Sequence, residues 1–333
     1  MIDSEFKRYE RSNFIKSQTN KLWNFMENHG FPGTVDRKAV GTVYAGHRVL
    51  NNADTNAFIK SRITDIDGFM AARFGAVELN YVYYYLRKQM GCSDVAQRLE
   101  SLRMLCFNAG FFPKDEELAD KLAELYLESA AEMDLCGAWS IFMEDYVLSK
   151  YAKNCEITKL RFLEPWTTSC GEPWTKALNG KRVLVIHPFA ESMKRQYERR
   201  TELFRNGFNE DDILPPMEIK FIKAVQSIGG QGTAGFSNWF DAYNNMLAEI
   251  RQSDFEVAVL GCGAYGFPLA AEIKRMGKKA IHLGGATQLW FGIKGKRWND
   301  DPLVNRLYNE LWISPSDAEK PENADGVEGG CYW

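Results

Sequence analysis

Short continuous apolar runs, of the kind buried on both faces of a parallel sheet, alternate along the chain with stretches whose apolar residues recur at helical spacing. The clearest runs are Arg182-Val183-Leu184-Val185-Ile186-His187, Glu256-Val257-Ala258-Val259-Leu260 and Lys279-Ala280-Ile281-His282-Leu283. Asp67 to Phe74, Thr158 to Leu163 and Glu218 to Gln226 read as further strands. Helical spacing marks Asn80 to Lys88, a long segment opened by Asp115-Glu116-Glu117-Leu118, and Ser140 to Tyr151. It returns around Gln196-Tyr197, over Asn238 to Gln252, and from about Pro268 onward. The alternation predicts an α/β fold, a Rossmann-like, doubly wound parallel sheet with helices on both faces and right-handed crossovers.

The ends of the chain read differently. Residues 1–55 form an N-terminal extension, with one or two amphipathic helices over 5–28 and then, from His29, loops with at most a short strand. Residues 56–313 hold the α/β domain. Residues 314–333, with Pro315, Pro321 and Gly329-Gly330, read as a flexible tail. Inside the domain, Glu144-Asp145 reads as a solvated acidic face, and Gly229-Gly230-Gln231-Gly232 as a flexible loop able to act as a lid.

Composition narrows the classes. The 333 residues are 45% apolar, enough for a real core, and a net charge of −3 with a pI of about 6.0 gives no global basic field for nucleic acid. No stretch approaches the roughly 18 apolar residues of a membrane span, and the first residues lack the apolar run of a signal peptide. The sequence therefore predicts a cytoplasmic protein, compatible with a peripheral seat at the inner membrane face and with a homo-oligomer. Seven widely spaced cysteines without a Cys-x-x-Cys pair disfavour zinc and a disulfide framework.

Ligands in open α/β sheets sit at the carboxyl ends of the strands, so the residues there are the candidate site. The strand ending at Leu260 leads into Gly261-Cys262-Gly263-Ala264-Tyr265-Gly266. Gly261 and Gly263 let the backbone turn sharply and present N–H groups to a phosphate at the positive end of the next helix. The following strand runs into a second glycine loop, Gly284-Gly285-Ala286-Thr287-Gln288. Arg73, Gly75 and Glu78 follow the strand that starts at Asp67, and His187 ends the one that starts at Arg182. The first glycine pattern matches the dinucleotide fingerprint, which also wants a carboxylate about 20 residues on to hold the ribose hydroxyls. Between Glu272 and Asp300 every charged residue is basic, which disfavours NAD and leaves NADP open. The segment Gln288 to Trp298 interleaves Lys294, Lys296 and Arg297 with Trp290 and Trp298, a pattern suited to clamping a diphosphate and stacking a base or sugar.

Three stretches carry a resemblance: Arg73-Phe74-Gly75-Ala76-Val77-Glu78-Leu79, Lys181 to Phe189 followed by Gln196-Tyr197, and Val259 to Trp298. On them, over roughly residues 60 to 300, the chain resembles a GT-D fold glycosyltransferase-like family encoded with bacterial surface-polysaccharide genes. The resemblance implies transfer of a sugar from a nucleotide-diphosphate donor to a glycan or lipid-linked acceptor. It also implies an Asp-x-Glu motif in the first turn that binds Mg²⁺ or Mn²⁺. The Asp position of that motif is Ala76 here, and Glu78 alone is a poor cage for either ion, so metal dependence is left in doubt.

Glu78 is then either a ligand through the donor's diphosphate or a base on the acceptor hydroxyl, a role His187 can share. The amides of Gly263 and Ala264, with Lys294, Lys296 or Arg297, are candidates to meet the departing diphosphate. Arg73, Gly75, Gly261, Tyr265, Gly266, Thr287 and Gln288 complete the expected donor site, and Glu191, Arg195 and Arg199 the acceptor side. Two rival readings stay open: an NADP-linked oxidoreductase, and a non-catalytic nucleotide- or sugar-binding protein, which Ala76 makes plausible.

Overall fold

Nine strands form one sheet among the residues that the computed structural model describes, which are 3–28, 40–168, 171–204, 210–230, 233, 235–322, 324–327 and 329–333. In chain order the strands are β1 (Val43–Tyr44), β2 (His47–Leu50), β3 (Phe69–Ala72), β4 (Leu135–Ala138), β5 (Glu156–Lys159), β6 (Arg182–His187), β7 (Glu218–Lys223), β8 (Val257–Leu260) and β9 (Lys279–His282). The first helices are α1 (Ser4–Asn28), α2 (Asn52–Thr64), α3 (Ala76–Gln89), α4 (Val95–Ala109), α5 (Glu116–Ala130) and α6 (Glu144–Tyr151). They are followed by α7 (Ala190–Tyr197), α8 (Glu210–Ile213), α9 (Trp239–Gln252), α10 (Gly266–Arg275), α11 (Thr287–Trp290) and α12 (Pro302–Asn305). Across the sheet the order is β1-β2-β5-β4-β3-β9-β8-β6-β7, and every pairing except the antiparallel β1–β2 is parallel.

The two-residue period of the strands sorts their side chains into two cores. Met70 and Ala72, Leu184 and Ile186, Ala258 and Leu260, and Ala280 join one core; Phe69 and Ala71, Val183 and Val185, Val257 and Val259, and Ile281 join the other. Helices α3, α4, α5, α6, α9 and α10 pack on the first, while α2, α7 and the segment from Leu289 to Trp312 pack on the second. Neighbouring strands β6 and β8 send their chains to opposite faces, β6 through α7 toward β7 and β8 through α10 toward β9. That divergence opens a crevice at their carboxyl ends. A Cβ on Gly261 would stand 2.6 Å from the Gly284 carbonyl oxygen, from His187 Cδ2 and from Thr287 Oγ1, so the loops after β6, β8 and β9 close on one α carbon.

The parallel sheet and two-sided helix cover agree with the sequence pattern, and four details differ. Strands β1 and β2 belong to the main sheet, with β2 pairing on β5, so residue 55 is not a structural boundary. The stretch between α5 and α6 contains β4, whose brevity hides it among helical neighbours. Glu144 and Asp145 are buried rather than solvated. Asp145 accepts hydrogen bonds from Asn13 Nδ2 (2.8 Å) and Lys16 Nζ (3.3 Å), and Asn13 Oδ1 accepts from the Met143 N–H (3.1 Å), which docks α1 onto α6.

The tail, read as flexible, is packed. Buried Glu319 accepts from the N–H groups of Glu191 (3.0 Å) and Ser192 (3.1 Å), and the Arg297 N–H donates to the Cys331 carbonyl (3.0 Å). Apolar Val327, Cys331, Tyr332 and Trp333 give it a face to bury, a signal outweighed in the sequence by its prolines and glycines. Of the expected lid, Gln231 and Gly232 lie outside the described residues, while the Gly229 N–H donates to the Phe107 carbonyl (2.8 Å). Among the described residues no helix is long and apolar enough to cross a membrane.

Gly261→Ala forces three packed neighbours apart, and overpacking of this kind costs about 1–3 kcal/mol. Urea denaturation is expected to show that loss with an unchanged m-value; wild-type stability in the variant would contradict the convergence at Gly261.

Candidate active site

A cavity of about 530 Å³ runs along the carboxyl rim of the sheet, over the ends of β3, β9, β8 and β6. Its electropositive end is built from backbone as much as from side chains. Several helices here close their own N-termini: Asn51, Asp94, Asp115 and Asn238 accept first-turn N–H groups of α2, α4, α5 and α9. The start of α7 is filled by the Glu319 carboxylate. Helix α10 has no side-chain cap, and the short 3₁₀ turn Gly263–Tyr265 runs directly into it. Among the described residues the amides of Gly263 and Ala264 meet no acceptor, and the space where a Gly263 Cβ would point is empty. Gly263 holds φ +57°, a conformation glycine adopts without strain.

That turn is fixed from behind. The Tyr126 hydroxyl donates to the Ala264 carbonyl (2.6 Å), and the Tyr265 ring stacks on Trp239 with centroids 4.5 Å apart. Arg73 leaves β3 toward the loop after β9, where the missing Cβ of Gly284 gives its guanidinium room. It donates from Nη1 to the Phe74 carbonyl (2.9 Å), and its guanidinium carbon stands 5.5 Å from the Trp139 ring centroid. Trp139 donates to the same carbonyl from Nε1 (3.0 Å). A carbonyl and a π face orient this cation without cancelling its charge.

Carboxyl groups occupy the other walls. Glu78, in the first turn of α3, folds back over the α carbon of Gly75, so the N-terminus of α3 already has a negative group beside it. Glu164 lines the cavity between two 3₁₀ turns, close to the Arg161–Asp301 ion pair. Burial pushes its carboxyl up to about 7, against a downward pull from Arg161. Glu144, fully buried behind the cavity, accepts from the Tyr44 hydroxyl (2.9 Å) and the Ser140 N–H (2.8 Å), and burial lifts it to about 7 as well. It thereby holds the turn that presents Trp139, in which Ser140 and Met143 both have positive φ.

His187 is not arranged as a base. Burial pushes its pKa down to about 3, and Nδ1 accepts from the Phe189 N–H (3.0 Å), which leaves the proton of the neutral ring on Nε2. It is a hydrogen-bond donor. His282 is likewise pushed down to about 3 by burial and by the Arg73 charge, and its Nδ1 has no partner among the described residues. Gly266 is needed for close approach, since a Cβ there would stand 2.5 Å from His282 Nε2.

Of the residues singled out in the sequence, Arg73, Gly75, Glu78, His187, Gly261, Gly263, Tyr265, Gln288 and Arg297 line the cavity. Ala264, Gly266 and Thr287 stand behind it as supports; Thr287 Oγ1 donates to the Gly284 carbonyl (2.8 Å). Lys294 and Lys296 do not reach the cavity: Lys294 Nζ lies over the Tyr308 ring (5.3 Å), and Lys296 is exposed. Glu191, Arg195 and Arg199 lie on the exposed side of and beyond α7, away from the cavity lining. Sequence reasoning missed Tyr126, Trp139, Glu164, Tyr332 and Trp333. A carboxylate directly before Pro165-Trp166, at a strand's end, was the available signal for Glu164.

The donor set does not fit an ion held by the protein alone. Ala76 offers no oxygen, Glu78 is the single carboxylate of the turn, and among the described residues no three His, Cys, Asp or Glu side chains cluster.

No protein family and no curated protein matches this chain. Among solved structures it is similar to one described as a new glycosyltransferase (DUF1792) from Streptococcus sanguinis, at 12% identity and a TM-score of 0.40, covering 84% of this chain and 97% of that one. A second, described as the highly conserved domain of unknown function 1792 with a distinct glycosyltransferase fold, is similar at 12% identity and a TM-score of 0.39, covering 83% and 93%. At this identity the likeness concerns fold alone.

Glu144 supplies a pH test of the Trp139 support. An unfolded glutamate ionises near pH ~4.3, whereas the folded group holds its proton to about 7. The folded state binds more protons in that window, so the contribution of Glu144 to stability falls as pH rises through it and stays lost above. Glu144→Gln is expected to remove this slope, by up to about 1.4 kcal/mol per pH unit, when unfolding free energies are compared at about pH 5 and 7. A wild-type-to-variant difference that does not change with pH would contradict the assignment.

Proposed function

We propose that this chain is a cytoplasmic glycosyltransferase that moves a sugar from a nucleotide-diphosphate donor to a glycan or lipid-linked acceptor in bacterial polysaccharide synthesis. The observation that carries the reading is the amides of Gly263 and Ala264, without acceptors among the described residues at the uncapped start of α10, in the same rim as the Arg73 guanidinium. A departing diphosphate gains negative charge, and fixed donors of this kind stabilise it without reorganising. The sequence resemblance supports the sugar and the polysaccharide setting.

In the reaction, the acceptor hydroxyl oxygen bonds to the anomeric carbon. The bond from that carbon to the β-phosphate oxygen breaks, and its electron pair leaves with the diphosphate. Glu78 takes the proton of the acceptor hydroxyl. Arg73 and the two amides hold the diphosphate, and His187 donates from Nε2. No step runs through a metal, because the donor set offers none a cage.

Arg73 beside Gly284, at the end of β9, is also where a 2′-phosphate would be met, so NADPH belongs in the test. Thermal shift is measured with UDP, GDP, TDP, their hexose conjugates and NADPH, with and without Mn²⁺. A selective rise with one nucleoside diphosphate and its sugar is expected, about 2.7 kcal/mol of stabilisation at a hundredfold excess over Kd. Arg73→Ala should weaken that binding by about tenfold or more with the fold intact. Glu78→Ala should keep nucleotide affinity and lose sugar release. A response to NADPH alone would overturn the reading, and binding without any sugar release would leave a non-catalytic binding protein.

A further inference from the structure

We infer that the aromatic end of the cavity, where Gln288, Arg297, Trp298, Tyr332 and Trp333 meet, binds the ring of a sugar through its hydroxyls. The inference rests on the glycosyl-transfer reading and adds to it the place where the acceptor lies.

Gln288 is fully buried and lines the cavity. Its Nε2 donates to the carbonyls of Lys294 (2.8 Å) and Tyr332 (3.2 Å), which can only accept, so the amide cannot be turned round. Oε1 is left with no donor among the described residues. Trp333, in the same wall, keeps a buried Nε1–H with no acceptor among the described residues. Leaving such atoms unpaired is costly. A lone acceptor and a lone donor in one wall call for a partner that brings both, and a hydroxyl is both.

The surrounding rings suit the apolar C–H face of a sugar. Trp298 and Tyr332 meet at 6.2 Å and 62°, and Trp333 stands edge-on to Tyr332 at 6.0 Å and to Phe189 at 5.8 Å. Arg297 lies over the Tyr332 ring, 4.8 Å from its centroid, with Nη1 donating to the Tyr332 hydroxyl (2.8 Å), so that face is taken for a base and a sugar alike. The tail can lie this close because Gly285 has no Cβ; one would stand 2.5 Å from Tyr332 Cε1.

Ligand-observed NMR on the full chain compares methyl glycosides of glucose, galactose, mannose and N-acetylglucosamine with UDP, GDP, TDP and uridine. At least one glycoside is expected to bind the wild type. Trp333→Phe, which keeps a ring and removes the N–H, should weaken it by about fivefold or more without changing nucleoside-diphosphate affinity or melting temperature. No glycoside binding beside normal nucleoside-diphosphate binding would overturn the sugar site while leaving the transfer reading standing. Glycoside binding without any nucleoside-diphosphate binding would do the reverse. Variants that weaken uridine or the diphosphates instead would mark a nucleobase site and overturn the inference, as would unchanged glycoside affinity.

Discussion

The site depends on a steric vacancy: the missing side chain at Gly261. Strands β6, β8 and β9 end side by side, and their loops turn to different faces of the sheet, so some point must be shared by all three. At that point the Gly284 carbonyl, the His187 ring and the Thr287 hydroxyl all stand 2.6 Å from where a Cβ would be. Interiors packed to crystal density cannot absorb an added methyl there without moving one of these groups. His187 keeps its orientation, the second glycine loop its height above the sheet, and Thr287 its bonds to Gly284 and Leu260, through the same contact.

Helix ends add the electrostatic counterpart. Every α-helix begins with unpaired N–H groups and a partial positive charge. In this chain those charges are answered locally by Asn51, Asp94, Asp115 and Asn238, by Glu319 from the tail at α7, and by Glu78 folding over Gly75 at α3. The start of α10 is left to face the cavity. An anion entering the rim meets that end with no capping side chain already on it. The Glu319 contact takes up the first N–H groups of α7, so that helix start offers the rim no free donor.

Much of this was legible in the sequence, and the limits are physical. Strands β6, β8 and β9 announce themselves because both faces are buried, which makes their runs continuous and fixes where the glycine turns follow. Arg73, Glu78, His187 and the Gly261 turn came from that logic and stand together in the cavity. The role of His187 did not, because only the Phe189 N–H on Nδ1 and the depth of burial turn a potential base into a donor. Lys294 and Lys296 shared a basic segment with Arg297, yet the direction of each side chain depends on a turn whose form sequence spacing does not encode. Trp139 stayed hidden because β4 is four residues long, and the tail because its prolines and glycines spoke louder than Tyr332 and Trp333.

Ala76 leaves the turn at the start of α3 with one carboxylate, Glu78, and this sets the charge balance of the rim. A turn with two carboxylates would set a strong negative field beside the Gly263 amides, and a diphosphate could share it only with a cation between them. With Glu78 alone, folded against the start of α3, and Arg73 held by a carbonyl and an indole, that field is weaker and an uncancelled positive charge stands in it. Burial pushes the Glu164 carboxyl up to about 7, so it adds less negative charge to the rim than an exposed carboxylate would. The same cavity can therefore receive an anion on the strength of its own donors. The alanine at position 76 and the placement of Arg73 are two parts of one electrostatic arrangement.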